Sequence, residues 1–374
     1  MSNNKNKKSS KSINQSFDFT LFIVIFLLLA LGIVMLLSAS SPKAFSETGD
    51  SYAYVRKQMK FALAGVVLMI IISKIDYRIY KKFYKLGYIA SIGLLLLVLL
   101  VGEEANGAKR WINMGFSFQP SEVVKIAMIV FYAAWLMQDK DKLKGFWSGL
   151  VLHILPLLPI AALLILEPHF STTIVIVGIC SIMMLMAGVR LWHFIVAGIS
   201  VGIPGIILLI TKAGYRMERI ITFLDPWKYE TDEGWQVIQS LYAIGSGGLF
   251  GVGLGESKQK YLYLPEAHND FIFSVLAEEL GFIGCAIVVI LFTVFIWRGI
   301  LVAIKAPDMF GSLLAVGITA LVGIQAILNI AVVTSSIPAT GMPLPFFSYG
   351  GTALLMLLGT MGILLNISRH NSKV

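Results

Sequence analysis

Residues 271–297 read FIFSVLAEELGFIGCAIVVILFTVFIW, and the segment LPEAHND at 264–270 comes directly before them. This run is apolar and long enough to cross the roughly 30 Å hydrocarbon core of a membrane as one helix. It nevertheless begins beside three ionisable side chains, those of Glu266, His268 and Asp270. It also contains Glu278 and Glu279. Because ionisable groups near or inside a membrane are energetically costly, each of these residues needs a structural or functional reason.

Comparable apolar runs recur along the whole chain and decide its class. Of the 374 residues, 57% are hydrophobic and 14% are charged, whereas a soluble domain carries about a quarter charged residues. The sequence therefore predicts an all-α polytopic integral membrane protein, a single bundle of ten transmembrane helices. The predicted spans are 19–40, 58–74, 86–102, 121–137, 146–166, 170–189, 191–211, 270–297, 309–333 and 346–367.

The basic residues predict the orientation of this bundle. They cluster in the N-terminal tail, in the loop after the second span and in the loop after the fourth, which alternation places on one face. Lys and Arg favour the cytoplasmic side, so both termini are predicted to be cytoplasmic. The predicted organisation is a basic cytoplasmic tail at 1–18, a ten-span membrane domain at 19–368, a large extracellular loop at 212–269 between spans 7 and 8, and a cytoplasmic tail at 369–374.

The net charge of +9 follows from these loops and does not indicate a nucleic-acid partner. The two cysteines, Cys180 and Cys285, lie in separate apolar runs. They give neither a disulfide framework nor the spacing of a metal site.

Asp270 has two interpretations. Aspartate is a favoured helix N-cap, so Asp270 alone reads as an ordinary helix start. That role does not explain why Glu266 and His268 lie in the same short segment. An ionised carboxylate at the membrane surface can also take a proton from a hydroxyl group as a general base. Glu278 and Glu279 point in different directions about two turns further on, so at least one should face the bundle interior, as a structural ion pair or as a functional group.

Further charged residues start the fourth span and precede the second. Glu122 and Lys125 are three residues apart and can pair on one helix face. In such a pair the two charges either neutralise each other, or the pair holds the Lys125 cation beside a cavity. Arg110 and Arg56 are cations at the predicted outer interface, where anchoring in the headgroup region explains the neighbouring Trp111.

The large loop contains the glycine-rich segment GSGGLFGVGLGES at 245–257. It lacks the Walker spacing, so the glycines are predicted to let backbone pack against a span or approach a ligand. Cations in this loop indicate either an anionic substrate or lipid headgroups; they are Arg216, Arg219, Lys228, Lys258 and Lys260. The residues thus predict an outward-facing site lined by acids and cations.

Three separated segments resemble one protein family. They are RWINMGFSFQPSEVVKIA at 110–127, the stretch from FLDPWKYETDEGWQ to LPEAHNDFIFSVLAEELGFIG at 223–284, and MPLPFFSYGGTALL at 342–355. In this order they resemble the SEDS proteins of shape, elongation, division and sporulation, the FtsW and SpoVE branch more than RodA. The resemblance covers essentially the whole chain.

The resemblance implies a peptidoglycan glycosyltransferase that polymerises lipid II at the outer face of a bacterial cytoplasmic membrane, in cell division or sporulation. It implies a class B penicillin-binding protein as the cross-linking partner, together with other divisome or sporulation proteins. Two alternatives remain: a lipid II flippase, and a scaffold without catalytic activity.

The resemblance also assigns residues. Asp270 matches the catalytic aspartate, and the substrate-binding residues it implies are Arg56, Arg110, Glu122, Lys125, Glu266, His268 and Ser348. A divalent cation, Mg²⁺ or Mn²⁺, is implied as cofactor, and no organic cofactor. The chain departs from the family at EPHFSTT, 167–173, where relatives often read QPDLGT, and at Thr352-Ala353, where a small hydroxylated pair is expected.

Overall fold

The computed structural model describes residues 17–105, 108–113, 117–139, 142–205, 207, 214–231 and 234–370. The predicted tails, apart from residues 17–18 and 369–370, lie outside the described residues. Several of the basic residues behind the predicted orientation also lie outside the described residues: Lys5, Lys7, Lys8, Lys11 and Lys140.

Each of the ten predicted spans corresponds to a helix in the described chain. Eight of the helices have the length and apolar composition needed to cross a membrane. The second is 20 residues long but carries three cations near its start, and the seventh is shorter. The spans are α1 (Phe19–Thr48), α2 (Ala53–Ile72), α3 (Tyr84–Val101), α4 (Pro120–Gln138), α5 (Phe146–Leu166), α6 (Phe170–Ala187), α7 (Leu191–Gly205), α10 (Ile272–Lys305), α11 (Met309–Val333) and α12 (Gly351–Arg369). The last begins later than predicted because the backbone before it is not helical: Phe346 has φ 70°, and Gly350 has φ 166° and ψ 88°.

The connections contain smaller elements. Between α3 and α4, three short strands form an antiparallel sheet: β1 (Glu103–Ala105), β2 (Ala108–Asn113) and β3 (Ser117–Phe118). The large loop contains α8 (Gly214–Leu224) and α9 (Trp235–Gly247). A 3₁₀ helix at Tyr77–Phe83 precedes α3.

Polar contacts mark the two ends of the bundle. At one end, Arg298 donates to Asp18 at 3.0 Å and Tyr77 donates to Asp308 at 2.6 Å. At the other end, which we call the Asp270 face, Lys43 lies 3.5 Å from Glu266. The loops predicted to be cytoplasmic therefore share one end, and residues 264–270 lie at the opposite end.

The interior of the bundle is built around α11 and α12. About two thirds of each of their apolar windows is buried, against 17% for α3, which lies at the periphery. α11 packs against α4, α6 and α10, and α12 packs against α2. This arrangement leaves room at the Asp270 face between α4, α6, α11 and α12.

Helix α10 is broken at Gly281, which has φ 64° and ψ −164°. The glycine-rich segment lies against the break: Phe282 N–H donates to the Gly248 carbonyl at 2.9 Å, and Val252 N–H donates to the Glu278 carbonyl at 2.9 Å. Backbone groups freed at membrane depth need such partners, because no water is available there. A Cβ at Gly251 would lie 2.1 Å from the Glu279 carbonyl oxygen. The prediction that these glycines let backbone pack against a span is confirmed.

Candidate active site

A cavity of about 380 Å³ lies in the bundle at the Asp270 face. Six of the eight residues predicted for the site contribute to its wall: Arg110, Glu122, Lys125, Glu266, Asp270 and Ser348. They come from three regions that are far apart in sequence: 110–125, 266–270 and 348. Deeper in the bundle the wall becomes mostly apolar, with Ile126, Leu321 and Leu357.

Asp270 is not a helix cap. Helix α10 starts at Ile272, its N-cap residue is Phe271, and no side chain caps it. The Asp270 backbone is instead fixed by Asn329, whose Nδ2 donates to the Asp270 carbonyl at 2.7 Å and to the Met342 carbonyl at 2.6 Å. The N-cap interpretation is therefore wrong, because the helix begins one residue later than predicted and Phe271 occupies the N-cap position. The side chain is left to line the cavity.

The environment of Asp270 suits a base. Burial raises the pKa of Asp270 to about 6, the charge of Glu266 acts in the same direction, and Arg110 and Arg219 oppose it. A general base works best when its pKa is near the ambient pH, because it is then both ionised and basic. A carboxylate of ordinary pKa would be a weaker base.

The segment 264–270 is held by the loop that precedes α12. Ser348 Oγ donates to the Asn269 carbonyl at 2.7 Å and accepts from Leu344 N–H at 2.7 Å. Tyr349 N–H donates to the His268 carbonyl at 3.0 Å. Ser348 thus lines the cavity and also fixes the backbone one residue before Asp270.

His268 has a different position from Asp270. Its ring is buried and stacks on Tyr54 at 5.3 Å between centroids, and Tyr54 stacks on Tyr349 at 4.9 Å. Burial, together with the nearby charge of Lys43, lowers the pKa of His268 to about 4, so the ring is neutral at pH 7. His268 lines a second cavity of about 180 Å³, which shares Glu266 with the first.

Of the remaining predicted residues, three line the cavity and one, Arg56, does not. Lys125 Nζ lies 2.8 Å from Glu122, and both side chains are largely buried, so the predicted pairing is confirmed. Arg110, on β2, donates to the Pro168 carbonyl and reaches the cavity wall. Arg56 is exposed and pairs with Asp50 at 3.1 Å; the structure does not bring it into the cavity.

Glu278 and Glu279 have a structural role. Glu278 accepts from Ser257 Oγ at 2.6 Å and from the Lys258 N–H at 2.9 Å. Glu279 pairs with Lys260 at 2.9 Å. Both carboxylates therefore hold the large loop against the first part of α10, away from the Asp270 cavity, and the ion-pair interpretation is confirmed.

Sequence reasoning missed several residues of this site. His169 and Thr172 line the cavity, and His169 Nε2 lies 2.9 Å from Thr172 Oγ1. Burial lowers the pKa of His169 to about 3 and raises the pKa of the neighbouring Glu167 to about 8. The departure from the family pattern at EPHFSTT, 167–173, was the feature of the sequence that could have indicated this turn. For Asn329, the feature in the sequence was a polar amide inside the apolar run of α11, and the structure buries it fully.

The fold and this site define an integral membrane protein with a polar cavity at one end of its helix bundle. Residues 19–373 match the family described as cell cycle protein, which comprises FtsW, RodA and SpoVE. The chain belongs to this family.

Two relatives show how close the similarity is. The chain is 44% identical to stage V sporulation protein E of Bacillus subtilis (strain 168), over 95% of this chain and 97% of that protein. It is 42% identical to the probable peptidoglycan glycosyltransferase FtsW of Geobacter sp. (strain M18), with the same coverage of both chains.

Solved structures show the same fold. A chain from a peptidoglycan synthase complex, described as coordinating polymerization and crosslinking, aligns with a TM-score of 0.79 at 28% identity, over 94% of this chain and 98% of that chain. The rod shape determining protein RodA of Thermus thermophilus aligns with a TM-score of 0.70 at 27% identity, over 96% and 98%.

Proposed function

We propose that this chain is a peptidoglycan glycosyltransferase that polymerises lipid II at the outer face of the bacterial cytoplasmic membrane. The observation that carries the proposal is the position of Asp270, an acid with a pKa of about 6 in the wall of a polar cavity. The family relatives named as peptidoglycan glycosyltransferases support it. A cavity inside the bundle suits substrates whose polyprenyl tails stay in the bilayer.

In this role Asp270 accepts the proton of the acceptor sugar hydroxyl while the hydroxyl oxygen attacks the anomeric carbon of the donor. The new bond joins the two sugars, and the bond from the anomeric carbon to the pyrophosphate breaks. The pyrophosphate leaves with its lipid and the electron pair. Because pyrophosphate is already a good leaving group, positive charge near it matters more than a general acid.

The arrangement of Glu122 and Lys125 supports a role in shaping the cavity. Their charges neutralise one another, so together they present a fixed, hydrogen-bonding surface rather than a net charge. Ser348 and Glu266 orient the acceptor in this proposal; both line the cavity, and Ser348 is hydrogen-bonded to the Asn269 carbonyl next to Asp270.

A divalent cation, Mg²⁺ or Mn²⁺, is part of the proposal. Within the described residues no group of three or more His, Cys, Asp and Glu is arranged to hold a metal. Glu266 nevertheless lines the cavity four residues before Asp270. Mg²⁺ is commonly held by one or two carboxylates and completed by substrate phosphates, so Glu266 fits such an ion and Asp270 remains the base. When bound, the ion would neutralise charge on the pyrophosphate.

Orientation and partners complete the proposal. The distribution of Lys and Arg supports cytoplasmic termini and an outward Asp270 face. The similarity to a chain of a peptidoglycan synthase complex supports assembly with a class B penicillin-binding protein. The similarity to a stage V sporulation protein and to FtsW proteins supports work with other sporulation or divisome proteins.

The test is a polymerisation assay with the full chain and its penicillin-binding partner in proteoliposomes that contain lipid II. Glycan strands made by this pair, and absent when the partner is alone, are the expected result. Movement of lipid II between leaflets without strands would support a flippase instead. Strands made equally well by the partner alone would leave the chain a scaffold.

A further inference from the structure

The proposed reaction releases an anionic pyrophosphate, and a side-chain cation near Asp270 whose charge is not already neutralised would stabilise it. Two lysines at this face are neutralised by carboxylates. Lys125 lies 2.8 Å from Glu122, and Lys43 lies 3.5 Å from Glu266.

Two further cations of the same half of the molecule are also paired. Arg56 pairs with Asp50 at 3.1 Å, and the buried Lys260 pairs with Glu279 at 2.9 Å. Arg110 lines the cavity wall and donates to the Pro168 carbonyl. A cation without a carboxylate partner would add to the positive charge available to the two phosphates of a pyrophosphate.

Arg219 has the required properties. It lies on α8 and is exposed, and Nη1 donates to the neutral carbonyl of Ala339 at 3.2 Å. No carboxylate of the described chain forms an ion pair with it. Two residues beyond Ala339, a Cβ built at Gly341 would lie 3.2 Å from Asp270 Oδ2. The loop that Arg219 contacts is therefore the loop that packs against the proposed base.

The electrostatic influence of Arg219 reaches the site. Its charge lowers the pKa of Asp270, as does that of Arg110. Arg110 is supplied by the sheet at 103–118 and Arg219 by the large loop, so the two cations come to the cavity from separate parts of the chain.

We propose that Arg219 binds the pyrophosphate of a lipid-linked substrate at the rim of the Asp270 cavity, exchanging the Ala339 carbonyl for phosphate oxygens. The inference rests on the proposed function and adds a binding residue to it. A guanidinium offers a planar pair of donors that matches phosphate, and hydrogen bonds between ionised partners are stronger than one to a neutral carbonyl.

The experiment measures binding rather than turnover. The full chain with its partner is placed in phosphatidylcholine nanodiscs, and its affinity for undecaprenyl pyrophosphate is compared with its affinity for uncharged undecaprenol. Arg219→Ala is expected to weaken undecaprenyl pyrophosphate binding about ten- to hundredfold, the range typical of a lost charged hydrogen bond. Arg219→Lys keeps the charge without the planar fork and should fall between. Undecaprenol binding should stay unchanged.

Lys228→Ala is the matched control, because it removes one exposed positive charge from the same loop. It should bind undecaprenyl pyrophosphate within about twofold of wild type, since Lys228 is exposed to solvent and is not among the residues that line the cavity. Equal losses in Arg219→Ala and Lys228→Ala would reduce the effect to general attraction of anionic lipid and overturn the inference. Unchanged binding by Arg219→Ala, or equal losses for undecaprenol, would overturn it too.

Failure of this inference and failure of the proposed function are distinguishable. Asp270→Asn should abolish most turnover while still binding undecaprenyl pyrophosphate. A wild-type chain that polymerises lipid II, combined with an Arg219→Ala variant that binds normally, would refute the role of Arg219 alone. A chain that binds the lipid but makes no glycan would refute the proposed activity alone.

Discussion

Glu122 and Asp270 line the same cavity, yet they differ in what they can do. Glu122 lies 2.8 Å from Lys125, which keeps its charge compensated. Asp270 lines the cavity and forms no ion pair among the described side chains, and its burial raises its pKa to about 6. The acid with the raised pKa is the one suited to take up and release a proton near neutral pH.

The first prediction concerns pH. Because Asp270 must be deprotonated to act as a base, the rate of polymerisation should rise with pH through an apparent pKa of about 6 and level off above it. The charged groups that act on Asp270 are Glu266, which raises its pKa, and Arg110 and Arg219, which lower it. Glu266→Gln should therefore move the acid limb to lower pH. Initial rates between pH 4.5 and 8 measure both, and a limb that stays in place in Glu266→Gln would contradict the assignment.

The second prediction concerns the buried pair. Lys125→Ala leaves Glu122 buried without its partner, which typically costs on the order of 3–5 kcal/mol, whereas removing both charges can cost much less. Lys125→Ala should therefore melt at a lower temperature than the double variant Glu122→Gln, Lys125→Met. Thermal unfolding of the purified proteins measures this. A double variant that melts below Lys125→Ala would mean that the two charges do not compensate one another.

At the scale of elements, the break in α10 shapes the site. The part of the helix before Gly281 is almost completely buried, and its end is fixed by the backbone of residues 248–253. Glu278 and Glu279 add side-chain bonds to the same loop. The large loop and the start of α10, which follows Asp270 directly, are therefore one packed unit.

The third prediction tests this packing with two glycines. Gly251 has φ +81°, and an added Cβ would meet the Glu279 carbonyl oxygen at 2.1 Å. Gly251→Ala should destabilise the protein by roughly 1–3 kcal/mol or more, because it adds backbone strain to a collision. Gly245 in α9 has open space around it, so Gly245→Ala should be neutral or stabilise by up to about 1 kcal/mol. Melting temperatures of the two variants measure the contrast, and equal values would contradict the packing.

The elements could be predicted from the sequence because each span is a local pattern of apolar residues. The break at Gly281 could not, since it depends on a partner backbone about thirty residues earlier in the chain. The N-cap interpretation of Asp270 failed for a similar reason. A carboxylate before an apolar run predicts a cap locally, but Asn329 donates to the carbonyl oxygens of Asp270 and Met342, and the helix begins one residue later.

At the scale of the whole molecule, the fold brings six of the eight residues predicted from the family resemblance around one cavity. Physical reasoning from the residues alone reached an acid- and cation-lined face, and no further. Arg56 and His268 lie elsewhere because one pairs with Asp50 and the other enters an aromatic stack with Tyr54. Neither partner is signalled by local sequence.

The fourth prediction concerns topology. A single cysteine at Glu256, in a chain with Cys180 and Cys285 replaced by alanine, should react with a membrane-impermeant maleimide in intact cells. Glu256 is suitable because it is exposed, whereas the adjacent Ser257 is fully buried against Glu278. Labelling that requires permeabilised cells would reverse the proposed orientation.

The most direct test of the account is the rate at which Asp270→Asn polymerises lipid II together with its penicillin-binding partner. Asn fills nearly the same space and cannot accept the proton, and general-base catalysis typically contributes about 10²–10⁴-fold. The account predicts a fall in rate of that order, with unchanged expression, partner binding and melting temperature. Asp225→Asn is the control: it removes an exposed carboxylate from the large loop and should keep the wild-type rate. Glycan synthesis by Asp270→Asn at the wild-type rate would contradict it.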